Sequence, residues 1–127
     1  MNLVSFLAVG FGAFAGAIVR WLFGLALNPI LPSLPLGTLA ANLVGALAMG
    51  IAIGAFAHFD TLPLAWRLMI TTGFLGGLTT FSAFSGETVQ LMLRQQYAWT
   101  AAIIVAHVVG SLVLTLAGIG IVRLAVR

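Results

Sequence analysis

Long apolar runs, separated by short polar or proline-bearing stretches, make up nearly the whole chain. The runs cover about 3–27, 36–56, 64–93 and 98–124. Each reaches the ~20 residues a helix needs to cross bilayer hydrocarbon. Between them lie Asn28-Pro29 through Pro35, then His58-Phe59-Asp60-Thr61-Leu62-Pro63, then Arg94-Gln95-Gln96-Tyr97, all with turn-forming or interfacial character. The pattern predicts an all-α membrane protein, with residues 1–127 forming one domain of four transmembrane helices.

The polar residues inside those runs carry the functional information. In the third run, Gly73 to Glu87 is crowded with Gly, Ser and Thr, which predicts a helix broken at mid-membrane. Irregular backbone survives in hydrocarbon only where it is buried in protein or lines a polar cavity. A broken helix presents free carbonyls at one half-helix end and free N–H groups at the other, both able to bind ions. The other reading is a continuous helix whose small residues let neighbours pack closely. Phe81 and Phe84, three apart, share a face and offer either core packing or positive ring edges to an anion. Glu87 is an ionisable group inside the same run, a functional candidate that can also snorkel to the interface.

Other runs add fewer candidates. Arg20 follows Gly12 and Gly16 on one face of the first helix, either as an interfacial anchor beside Trp21 or as the cation of a vestibule. In the second helix Thr38 and Asn42 are four apart. The Asn42 amide is either interhelical glue or a donor aimed at a permeating anion. In the fourth, His107, Ser111 and Thr115 form one polar stripe.

Composition fixes the class. The chain is 62% hydrophobic and 6% charged, with mean hydropathy +1.22, whereas a soluble domain is about a quarter charged. The net charge of +3 comes from dispersed arginines with no basic cluster, so no nucleic-acid partner is predicted. There is no cysteine, which excludes thiol chemistry and thiolate metal sites. No enzyme motif is present: the glycines lack the lysine and strand–loop–helix setting of a phosphate loop. The first run lacks a basic segment before it and is long for a signal peptide. Four helices are few to enclose a lined pore, so oligomerisation is expected. Arg67, Arg123 and Arg127 lie towards one side and Arg20 and Arg94 towards the other. That near-balance permits insertion in both orientations. Intramembrane polar groups are mostly donors or amphoteric, and acidic rings are missing, which favours an anion over a cation.

Three stretches carry a resemblance: Gly76-Gly77-Leu78-Thr79-Thr80-Phe81-Ser82 with Phe84 and Ser85, Gly16-Ala17-Ile18-Val19-Arg20-Trp21, and Gly37-Thr38-Leu39-Ala40-Ala41-Asn42-Leu43-Val44-Gly45. In order and spacing they resemble the Fluc/CrcB family of fluoride channels. The resemblance implies an antiparallel, dual-topology homodimer with two pores, giving passive fluoride efflux across the inner (plasma) membrane of a microbial cell. It implies a fluoride pathway of Asn42, Phe81, Phe84, Thr38, Ser111 and His107, with Arg20 and Glu87 at a vestibule. It further implies a structural sodium ion shared between subunits and held by the backbone carbonyls of Gly76 and Thr79. Ala83 and Ile103 stand where relatives carry hydroxyls. Rival readings are a proton-coupled cation exporter, a fluoride–proton exchanger and a non-transporting assembly subunit. The exporter calls for an accessible acid, and the first helix has none.

Overall fold

The computed structural model describes residues 1–127, and its regular elements are all helices joined by short connections. Helix α1 is Leu3–Leu27, closed at its start by the Asn2 side chain, which accepts from Ser5 N at 2.8 Å. A single 3-10 turn, Asn28–Ile30, leads towards α2, Leu36–His58. Pro35 and Pro63 stand just before α2 and the third segment, where a missing N–H costs the helix nothing.

The third segment is two helices. Its first part, α3 (64–78), starts α-helical at Leu64–Leu68, widens to π-helix over Met69–Leu75 and tightens again at Gly76–Leu78. Thr79 (φ −88°, ψ 155°) and Thr80 (φ −149°, ψ 119°) run extended, and α4, Phe81–Leu93, begins beyond them. The Thr80 hydroxyl caps α4 by accepting from Ala83 N at 3.1 Å. At its far end Gln95 adopts φ 59°. Gln96 N then donates to Leu91 O and Gln95 N to Met92 O, both at 2.9 Å, the bond pair that ends many helices around a left-handed residue. Helix α5 is Tyr97–Ala125. Four stretches, Leu3–Ile30, Leu36–His58, Leu64–Leu93 and Tyr97–Ala125, are long and apolar enough to cross a membrane.

Two seams of small residues set the packing. A Cβ on Gly16 would run into Phe74 O and Leu78 N, so α1 and α3 meet backbone to backbone. The same holds for α2 and α5, where Gly50 faces Thr115 O and Gly118 faces Leu47 O. Close approach of this kind replaces the hydrophobic drive that lipid removes. Two small cores fill the rest: Ala41, Leu75 and Leu78 on one side of the break, and Phe84, Leu91 and Ile103 on the other. Large apolar side chains such as Phe11, Phe14 and Leu116 point outwards, as they do where lipid or another membrane-embedded surface is the solvent.

Candidate functional site

Side chains from α2 and α5 meet at the extended residues Thr79 and Thr80 inside the bundle. In an uninterrupted helix the Thr80 N–H would donate to Gly76 O. Instead it donates to Asn42 Oδ1 at 2.8 Å. Asn42 Nδ2 donates to Thr80 O at 3.1 Å and lies 2.9 Å from His107 Nδ1. The Asn42 amide therefore binds both backbone groups of Thr80, as a neighbouring strand would.

Those bonds also fix the histidine. Thr80 N–H holds Oδ1 as acceptor, which makes Nδ2 the donor to His107 Nδ1. The imidazole proton then sits on Nε2, which is buried and has no partner. The His107 ring stacks on Phe84, centroids 4.6 Å apart and planes inclined by 30°. Phe84 in turn meets Phe81 edge to face at 5.6 Å and 72°. The two phenylalanines are unlike in burial: Phe84 is 8% exposed and belongs to a core cluster, Phe81 is 76% exposed.

A cavity of about 370 Å³ opens beside the break, lined among others by Asn42, Gly76, Thr79, Phe81, Phe84 and Ser111. It unites four of the expected pathway residues with both expected carbonyl ligands. His107 sits behind its wall, against Phe84 and Asn42. Thr115, the last residue of the polar stripe, is turned to backbone duty and donates to Ala46 O at 3.1 Å.

A second cavity, about 360 Å³, includes Arg20, Thr38, Thr80, Ala83 and Glu87 in its wall. Here Thr38 Oγ1 donates to Glu87 Oε2 at 2.7 Å, while Oε1 is buried without a partner. Glu87 thus turns inward. Arg20 Nε donates to Gly77 O at 3.1 Å, so the guanidinium lines the cavity and also caps the negative end of α3. The first cavity holds Asn42, Phe81, Phe84 and Ser111, whereas Thr38, Arg20 and Glu87 belong to the second.

Thr80 lines both cavities, and sequence reasoning gave it no role. The available signal was positional: a threonine before a fresh apolar helix start is an N-cap.

No group of His, Cys, Asp and Glu side chains is placed to hold a metal ion. The break supplies oxygen donors of another kind. Thr79 O accepts no hydrogen bond, and the usual helical donor to Gly76 O is spent on Asn42. Bare carbonyls at a helix C-terminus suit a hard cation.

Four apolar spans, with irregular backbone and donors lining internal cavities, define a multi-pass membrane protein built around a broken helix. The profile of the family described as CrcB-like protein, Camphor Resistance (CrcB), matches residues 7–119, and the chain belongs to that family. Relatives carry the name "Fluoride-specific ion channel FluC". One from Nitrosospira multiformis is 58% identical over 97% of this chain and 96% of its own. One from Tolumonas auensis is 50% identical over 98% of each chain. A third, from Chromobacterium violaceum, is 55% identical over 91% of each. The relatives are named as channels, not enzymes.

Proposed function

We propose that this protein is a fluoride channel that lets the ion leave the cell passively, working in the inner (plasma) membrane as an antiparallel homodimer. The observation that carries the reading is the cavity at the break, where Asn42, Ser111, Phe81 and Phe84 meet. Fluoride stripped of water needs hydrogen-bond donors, and two beside the cavity are not spent on the protein. The unpartnered Nε2–H of His107 lies behind Phe84, and Ser111 brings a hydroxyl with no protein partner. Phe81 and Phe84 line the cavity, and an aromatic ring edge attracts an anion without holding it tightly. Thr38, Arg20 and Glu87 line the adjoining cavity, the vestibule of this reading.

The same reading puts the break at bilayer depth, halfway along the 30-residue segment Leu64–Leu93. Gly76 and Thr79 carbonyls would hold a sodium ion there. When bound, it would neutralise the negative end of α3 and tie two subunits together. A hard cation takes more oxygen ligands than these two, so a second copy supplying the same pair fits. The near-balance of arginines between the two sides fits a pair inserted in opposite senses.

The test is fluoride efflux from liposomes holding the purified protein, followed with a fluoride electrode and repeated with chloride. Fast, voltage-driven fluoride loss without chloride loss is the expected result. Absence of fluoride flux would overturn the proposal.

One observation favours proton coupling instead: Glu87 is an inward-facing acid with one oxygen unpaired. Sustained fluoride current with no proton gradient, reversing at the fluoride equilibrium potential, excludes it.

A further inference from the structure

We infer that Asn42 is the positioning residue for the cation site at the break, because its Oδ1 takes the Thr80 N–H that would otherwise close the helix onto Gly76 O. The inference rests on the sodium reading above and concerns what makes the carbonyl available.

A carbonyl inside an α-helix is already engaged by the N–H four residues on. For Gly76 that donor is Thr80 N, and it points at Asn42 Oδ1, 2.8 Å away. The amide then completes the exchange by donating to Thr80 O at 3.1 Å. Thr80 thereby finds on α2 both partners that helix continuation would have offered, and remains extended at φ −149° and ψ 119°. Buried backbone groups left single are costly, so this side chain stabilises the break by pairing both backbone groups of Thr80. Gly45, one turn along α2 from Asn42, leaves the room: a Cβ there would collide with Thr79 Cγ2.

The position of Asn42 has a second consequence. Its Nδ2 also reaches His107 Nδ1 at 2.9 Å, on the side of the proposed anion route. One amide therefore links the carbonyl end of α3 to the imidazole whose Nε2–H is unpartnered. Removing it loosens both.

The experiment is a sodium titration of purified protein, at constant ionic strength against N-methylglucamine. Its readouts are the thermal midpoint and the carbonyl carbon signal of labelled Gly76. Wild type should show a saturable response in both. Asn42→Ala should need roughly tenfold more sodium, or show no response. Asn42→Asp keeps an acceptor for Thr80 N–H while losing both donated bonds, and should retain the sodium response.

An Asn42→Ala protein with wild-type sodium dependence overturns the inference, as does an Asn42→Asp protein that folds and has lost it. Should the alanine variant fail to fold, amide exchange decides. Slow exchange of Thr80 N–H in sodium-free wild type supports the bond, and fast exchange overturns it. Fluoride flux from wild type with no sodium response would remove this inference and the sodium site while leaving the channel standing. A sodium response that tracks Asn42 in a protein without fluoride flux would do the reverse.

Discussion

The two pieces of the third segment share one strand of sequence and are held in opposite ways. Helix α3 lies against α1 through glycines, main chain on main chain. Helix α4 is held by side chains: Thr38 on Glu87, His107 on Phe84, and the cluster of Phe84, Leu91 and Ile103. A backbone seam has no rotamers and cannot adjust without separating. Side-chain contacts can be remade one at a time. The hinge between them is two threonines, so fixed and adjustable parts meet at the cavity.

The sharpest way to break that contrast is to add the same methyl group to each piece. Gly77→Ala would thrust a Cβ into Ala13 O, and overpacking of this kind should cost about 3 kcal/mol. The expected sign is loss of the monodisperse peak on size exclusion in detergent; an unchanged profile would mean that the seam can yield.

Phe84→Ile comes next. Because Phe84 is buried in a core cluster, it should lose about 1–2 kcal/mol of stability along with fluoride flux. Phe81→Ile should leave the thermal midpoint unchanged, since that ring is exposed. Its liposome flux should still fall roughly tenfold, equivalent to about 1.4 kcal/mol on the barrier. Equal stability losses in the two variants would erase the distinction between a packed ring and a free one. At the small end is Gly86→Ala on α4, where a Cβ meets nothing within 4 Å. A stabilisation of about 0.5 kcal/mol is expected, and a loss would show that α4 is as tightly seamed as α3.

Sequence alone made the four spans and the weakness of the third legible, because apolar length and clustered Gly, Ser and Thr are local signals. The residues that realise the break were not. Asn42 is 38 residues from Thr80 and 65 from His107, and Arg20 is 57 from Gly77. No periodicity encodes such pairings. The inward turn of Glu87 depends on how α4 is rotated against α2, which tertiary packing decides. Nor does Met69-Ile70-Thr71-Thr72-Gly73-Phe74-Leu75 announce its π-helical winding, since propensities describe α-helix and strand only. Core packing or ring edges for an anion, in the phenylalanines, and interhelical glue or an anion donor, in Asn42, were both open on sequence grounds. Phe84 is packed where Phe81 is not, and Asn42 spends its amide on protein partners.

The spacing of these bonds also sets an order of events during synthesis. Gly37 N donates to Asn28 Oδ1 at 2.7 Å, only nine residues away, so the first hairpin can close as soon as it leaves the ribosome. Asn42 enters the membrane in that same hairpin, long before Thr80 and His107 have been translated. Until they arrive its amide is an unpaired polar group in a nascent chain, which makes the α1–α2 hairpin a poor resident of lipid by itself. The late helices complete it, and a chain truncated before α5 would leave the insertion machinery or quality-control proteases an exposed amide to find.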